Sequence, residues 1–248
     1  MLGLGEAGSR LAADLVAAGA NVHGYDPIAP STPAGVVREP GPKSAATSAE
    51  VALSVATASA ARSVAEEALP ALSRGTVYAD LNTAAPALKR ELAALAEDAG
   101  ALFADVALLA PVPARGLATP TLASGPGAAA FAELLGPLGM PVEVVSPVAG
   151  DAAALKLLRS VFMKGLAAAV LESLAAAEAA GHGDWLERQL GEVIGPTLLA
   201  RFVEGSRRHA ARREEEMDAA CELLVSLGVE PRIAAASRAI LADLRDLE

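Results

Sequence analysis

The sequence predicts an α/β chain, with a doubly wound parallel sheet over residues 1–147 followed by an all-helical domain over 148–248. Three observations carry this. Short apolar runs alternate with helix-period segments as far as Val145. After Pro147 only helical patterns remain. At the start, Gly3-x-Gly5-x-x-Gly8 precedes a helical pattern and a second strand that ends at Asp26.

The opening glycines lead into a helix with Leu11, Ala12, Leu15 and Val16 on its apolar side, and Ala20–Tyr25 reads as the next strand. Only Met1 and Leu2 precede Gly3, where a buried strand of about five residues is expected. The first strand therefore reads as cut short, or the chain as starting late. A Pro/Gly/Ser-rich loop spans Pro27–Pro42. Val51–Thr57 reads as a strand, Ser63–Leu72 as a helix, Thr76–Asp80 as a strand and Pro86–Glu97 as a helix. Ala101–Val106 is a further strand, Ala110–Gly116 a rigid loop, and Thr121–Ser124 and Val142–Val145 close the sheet around a helix at Ala128–Leu135. Asp151 is a plausible N-cap for one long helix to about Ala180. Gly181-His182-Gly183 breaks it, and helices follow over Asp184–Val193, Pro196–Leu227 and Ile233–Leu247.

Composition narrows the functional classes. The 248 residues are 53% hydrophobic but only 3% aromatic, so the core is built from Ala, Leu and Val. A net charge of −10 argues against nucleic acid as a partner. No basic segment followed by an apolar one opens the chain, no apolar run reaches the length of a membrane span, and a cytoplasmic location is expected. Cys221 is the single cysteine, and His23, His182 and His209 lack metal-ligand spacing, so no metal site is expected.

Glycines at this spacing permit a tight turn, a close approach of backbone to a pyrophosphate, and close helix–strand packing. The helix beginning near Glu6 points its free N–H groups at the phosphates. The loop residues Gly3, Leu4, Gly5, Glu6, Ala7 and Gly8 are candidate cofactor contacts. The Asp26 carboxylate is placed to accept from both ribose hydroxyls of an adenosine and to repel a 2′-phosphate, which favours NAD while leaving NADP possible. Thr57, ending a strand, is a further candidate cofactor contact.

On the long helix, Leu155, Leu158, Phe162, Leu166 and Val170 form an apolar face, and Lys156, Ser160 and Lys164 recur every four residues on the opposite side with Arg159 alongside. The chain has only four lysines, Lys43, Lys89, Lys156 and Lys164, so two on one helix face stand out. No acid lies between Lys156 and Lys164 to form ordinary surface pairs. Arg207–Arg213 and Glu214–Glu216 form a charged block that reads as a solvated face, with Arg212–Glu216 paired at i,i+4. Apolar Ala/Leu helices in the second domain point to a homodimer.

These motifs together resemble the β-hydroxyacid dehydrogenases, relatives of 3-hydroxyisobutyrate and 6-phosphogluconate dehydrogenases, in a branch with its own C-terminal helical domain. Gly3–Gly8 matches the family's cofactor loop, and Asp80-Leu81-Asn82-Thr83 its acid-x-Ser-Thr segment beside the nicotinamide. Ala110-Pro111-Val112 resembles the substrate loop, and Gly150-x5-Lys156 the catalytic helix. The resemblance implies a Rossmann domain, an NAD(P) cofactor, hydride exchange with a small anionic hydroxy acid, and Lys156 as general acid/base with Ser160 beside it. It adds Asn82 and Thr83 to the cofactor contacts, and implies substrate contacts at Pro111, Val112, Arg115, Gly116, Arg159 and Lys164. Two departures stand out. Pro113-Ala114-Arg115-Gly116 replaces the family's Ser-Gly-Gly, and Ser160 stands where the family has Asn. The competing readings are an imine reductase, against which Lys156 argues, and a cofactor-binding protein without turnover.

Overall fold

The computed structural model describes residues 1–246. The chain forms two compact units, Met1–Lys156 and Leu157–Glu248. The division falls inside a helix rather than at residue 148, because that helix's first turn is hydrogen-bonded to strands of the sheet.

In the first unit, α1 (Glu6–Ala17) is followed by β1 (His23–Gly24), β2 (Val37–Arg38) and α2 (Pro42–Ala46). Then come β3 (Val51–Ser54), α3 (Ala61–Ala68), β4 (Val77–Asp80), α4 (Pro86–Asp98) and β5 (Leu102–Leu108). The unit continues with α5 (Val112–Arg115), β6 (Thr121–Ser124), α6 (Ala128–Leu135) and β7 (Val142–Ser146). β3, β4, β5, β6 and β7 make one sheet in that order, while β1 and β2 pair in parallel. Leu2 joins the two sets through isolated parallel bridges to Tyr25 and Ser54. Leu2 N–H donates to Leu53 O (2.8 Å) and Val55 N–H to Leu2 O (2.7 Å), while on the other side Tyr25 N–H donates to Met1 O (2.9 Å).

Three features differ from the sequence expectation. The sheet is not parallel throughout: β6 runs antiparallel to β5, with Leu108 opposite Thr121, and β7 follows β6 in parallel. The β5–β6 connection contains only the short α5 and a 3-10 turn at Gly116–Ala118, so no crossover helix spans the sheet to reverse the chain's direction. The expected Pro27–Pro42 loop contains β2, and the strand expected at Ala20–Tyr25 shrinks to β1 plus the bridge from Leu2 to Tyr25.

Helices cover both sheet faces, as alternating side chains demand. Along β4, Val77 and Ala79 enter a cluster with Leu11, Leu15, Leu53, Val106 and Phe131. Tyr78 enters the opposite cluster with Ala61, Leu92 and Phe103. Tyr78 and Phe103, paired across β4–β5, stack at 6.4 Å. With few aromatics, the core closes through close-packed alanines at Ala12, Ala46, Ala61, Ala65, Ala68 and Ala96, all buried.

α7 (Asp151–Ala179) begins in the first unit and continues into the second, where α8 (Gly183–Ile194), α9 (Pro196–Arg208), α10 (Ala210–Ser226) and α11 (Arg232–Arg245) follow. The single helix expected over Pro196–Leu227 is broken at His209, which leaves helical dihedrals (φ −130°, ψ 31°) with neither Gly nor Pro to announce it. Leu157 packs with Met217, Ala220, Ala234 and Leu241, and Ala167 and Val170 pack with Leu199 and Phe202. Leu155, Leu158, Phe162 and Leu166 stay exposed, Phe162 at 65%. α7 is apolar nearly all round, so its most hydrophobic stripe need not be the buried one. Among the described helices it alone is long and apolar enough, by length and composition, to cross a bilayer.

Candidate cofactor and catalytic site

The three glycines do different work. Gly3 has φ +103°, and a Cβ there would lie 2.3 Å from Val55 O. A Cβ at Gly8 would lie 2.1 Å from Gly3 O, so this glycine seats α1 against the loop. A Cβ at Gly5, the N-cap of α1, would meet nothing of the protein within 4 Å. Among the described residues no side-chain cap hydrogen bond closes the start of α1 at Gly5. Space above Gly5 and uncapped N–H groups are what a pyrophosphate requires, so the loop fits a dinucleotide. Leu4 is buried, and its backbone O accepts from Ser9 Oγ at 2.6 Å; Glu6 is exposed and Ala7 half-buried.

Asp26 braces the same loop. Its Oδ2 accepts Leu4 N–H at 2.7 Å, and its Oδ1 accepts Ile28 and Ala29 N–H, each at 2.8 Å. Desolvation pushes the carboxyl's pKa up, but the three backbone donors and the Arg38 charge outweigh it and hold the pKa below the usual value. The carboxylate is thus kept negative. Three of its roughly four acceptor positions are occupied, which corrects the expectation that it accepts both ribose hydroxyls: it has room for one. Arg38 Nη2 donates to Ala29 O (2.9 Å) and Asp26 O (3.2 Å), placing a guanidinium beside this carboxylate. Thr57 is exposed and caps a local turn, donating to or accepting from Ser59 Oγ at 2.9 Å.

The Asp80–Thr83 segment continues β4. Asn82 Nδ2 donates to Asp80 Oδ2 (2.7 Å) and Ser54 Oγ (3.1 Å). The carboxylate can only accept, which fixes the amide's orientation. That leaves Asn82 Oδ1 buried without a hydrogen-bond partner among the described residues. An orphaned buried acceptor beside a cofactor loop suits a ligand N–H or O–H donor. Next in sequence, Thr83 Oγ1 accepts from Lys156 Nζ at 2.6 Å. The first unit thus brings together the glycine loop, Asp26, Asn82, Thr83 and Lys156.

Behind this site lies a network that the sequence reading missed. Lys89 of α4 is 1% exposed, and its Nζ contacts Asp80 Oδ1 (2.5 Å), Asp80 O (2.9 Å) and Asp105 Oδ1 (3.2 Å). Burial pushes the Lys89 pKa down, but the two carboxylates outweigh it and the net shift is upward. A signal was present: Pro86, Lys89, Leu92 and Ala96 form the inward face of α4, so this lysine lies on the apolar stripe.

The loop expected to touch substrate is tied to α1. Val112 is a core residue, and Pro111 and Arg115 are exposed. Gly116 is buried with φ +56°, and a Cβ there would lie 1.8 Å from Asp14 Oδ2. The same Asp14 oxygen accepts Leu117 N–H at 2.8 Å, and Arg10 Nη1 donates to Pro113 O at 3.1 Å. Gly116 therefore serves the close approach of this loop to α1.

In the second unit, buried Ser160 donates to Glu216 Oε1, which also accepts from Lys164 Nζ at 3.0 Å. Glu216 thus pairs with Lys164 and is only 11% exposed, rather than lying on a solvated face. Burial lowers the Lys164 pKa, assisted by Arg213 and Arg159, against the opposing pull of Glu216. Arg213 donates to Ser206 Oγ at 2.7 Å, and Arg159 is exposed.

Residues 1–113 match the NAD binding domain of 6-phosphogluconate dehydrogenase, and residues 177–244 match a domain of unknown function, DUF1932. The chain thus joins an NAD-binding domain of the 6-phosphogluconate dehydrogenase family to a C-terminal DUF1932 domain. A conserved hypothetical protein from Sinorhizobium meliloti 1021 is 31% identical, with 97% of this chain and 86% of that one aligned at a TM-score of 0.74. MTH1747, a conserved protein of unknown function with structural similarity to 3-hydroxyacid dehydrogenases, is 28% identical over 99% of this chain and 95% of its own (TM-score 0.76). Mycobacterium tuberculosis 3-hydroxyisobutyrate dehydrogenase with L-serine shares the fold at a TM-score of 0.80, with 22% identity over 98% and 91% of the two chains. An uncharacterised 28.5 kDa protein from Methanothermus fervidus is 30% identical over 158 residues, a match spanning 61% of its length. The family's fold is that of NAD(P)-binding hydroxyacid dehydrogenases, and it is also shared by an imine reductase from Myxococcus stipitatus.

Proposed function

We propose that this protein is an NAD(P)-dependent oxidoreductase that exchanges hydride with a small anionic hydroxy acid, with Lys156 as its general acid/base. The observation that carries the reading is the Lys156–Thr83 hydrogen bond, which holds an amine at the end of the Asp80–Thr83 segment in the same unit as the glycine loop. The nicotinamide, when bound, supplies the hydride acceptor or donor. Gly5 and the first turn of α1 would hold the pyrophosphate, and Asn82 Oδ1 would accept from a donor on the ligand. Lys156 Nζ takes the hydroxyl proton in oxidation and returns it in reduction, with Thr83 Oγ1 fixing the amine's direction. Lysine at this position favours hydroxy-acid chemistry over imine reduction.

The charge kept on Asp26 favours NAD by repelling a 2′-phosphate. Arg38 supports NADP as a second reading, since its guanidinium lies within reach of the same ribose edge. The exposed stripe Leu155, Leu158, Phe162 and Leu166 supports a homodimer that covers it.

Titration with NADH and NADPH, followed by a screen of small hydroxy acids, tests the proposal. Saturable NADH binding with oxidation of one class of hydroxy acid supports it. Binding without turnover of any of them supports the reading of a cofactor-binding protein instead.

A further inference from the structure

Asp80 and Asp105 are register partners on β4 and β5, so their carboxylates lie side by side, both 0% exposed. Like charges opposite one another on a sheet repel, and more so away from water. Lys89 reaches both from α4, with its Nζ 2.5 Å from Asp80 Oδ1 and 3.2 Å from Asp105 Oδ1.

Each carboxylate also holds something else. Asp80 fixes Asn82 through its Nδ2 (2.7 Å) and backbone N–H (3.3 Å), and so fixes the backbone leading to Thr83. Asp105 Oδ2 accepts Ala153 N–H at 2.9 Å and Ser124 Oγ–H at 3.1 Å, while Ser124 Oγ accepts Ala152 N–H at 2.9 Å. These bonds satisfy first-turn N–H groups of α7 one turn before Lys156, and the helix's positive end offsets part of the surplus negative charge. Thr83 and Lys156, the two partners of the 2.6 Å contact, thus hang from opposite ends of one buried ion cluster.

We propose that Lys89 is a positioning residue: by clamping Asp80 to Asp105 it sets the Asp80–Thr83 segment and the first turn of α7 at the separation that brings Thr83 Oγ1 to Lys156 Nζ. The inference rests on the reading of Lys156 as the working amine, but its test needs no turnover. With only four lysines, amine labelling resolves every site by mass spectrometry. Labelling rates are compared in wild type, in Lys89→Met, and in Lys89→Met/Asp105→Asn. The double variant removes one charge of each sign and keeps an acceptor for Ala153 N–H, so it stays informative if the single variant fails to fold.

The expected result is a rise of roughly tenfold at Lys156, about the weight of one hydrogen bond, with exposed Lys43 and half-buried Lys164 unchanged. An unchanged Lys156 rate in a folded variant overturns the proposal. So does an equal rise at Lys164, which marks general loosening. If Lys156 responds as expected but Lys156→Ala still turns over substrate, the positioning role stands and the general-base reading alone fails.

Discussion

Replacing Gly8 and Gly5 separately by alanine parts the structural from the ligand-binding role of the glycine loop. At Gly8 the new Cβ lies 2.1 Å from Gly3 O, so a backbone oxygen must retreat by about 1 Å to reach even a tight 3.0 Å contact. Alanine gains about 1 kcal/mol of helix propensity within α1. Overpacking against backbone costs more, typically 1–3 kcal/mol and here at the upper end. The net expectation is a loss of roughly 1–2 kcal/mol, lowering the melting temperature by about 2–8 °C for a unit of this size. At Gly5 the dihedrals are ordinary (φ −65°) and the Cβ meets no protein atom, so stability changes by less than about 1 kcal/mol, the cost of alanine at an N-cap. NADH affinity should nevertheless fall by roughly tenfold or more, because the methyl occupies the path of the pyrophosphate. Calorimetry and nicotinamide-fluorescence titration on both variants check this. Wild-type melting for Gly8→Ala, or wild-type NADH affinity for Gly5→Ala, refutes the assignment.

Asp26→Asn removes the charge that disfavours a 2′-phosphate, so the NADPH:NADH affinity ratio should rise by roughly tenfold in parallel titrations. In the wild type the Asp26 pKa is lower folded than unfolded. Its contribution to stability is therefore complete above about pH 4, the ordinary carboxyl pKa, and is lost as pH falls through the lower folded value. Acid melts of wild type and Asp26→Asn should converge in that window and diverge above it. Asp14→Ala removes the acceptor for Leu117 N–H, leaving a half-buried donor unpaired, and should cost about 1–3 kcal/mol by denaturant titration. Phe162→Asp places a charge in the exposed stripe of α7 and should convert the proposed dimer to a monomer by light scattering without lowering the monomer's helicity.

Elements with strong periodicity were legible in the sequence: α6 matches at both ends, and α4 and α7 to within a residue at their C-termini. The glycine loop was legible because its spacing encodes backbone constraints, a positive φ at Gly3 and a close contact at Gly8, that side-chain patterns do not. β2 was missed because two exposed strand residues carry no alternation. The reversal at β6 was missed because strand direction depends on how a connection crosses the sheet, and the Pro-rich segment before it hides a short helix. Within the site, Lys156 stood out by its neighbours in sequence, whereas Lys89 and Asp105 acquire meaning only when β4, β5, α4 and the start of α7 converge. The packing of Gly116 against Asp14 was not legible, because nothing in the local sequence reveals a residue so distant in the chain.

The central claim, that Lys156 carries the proton for a nicotinamide-dependent reaction, is tested most directly by turnover of Lys156→Ala on a hydroxy acid that the wild type oxidises. The account predicts retained NADH affinity with turnover reduced by about two to four orders of magnitude, the range for loss of a general acid/base. Turnover equal to wild type at unchanged NADH affinity would contradict it.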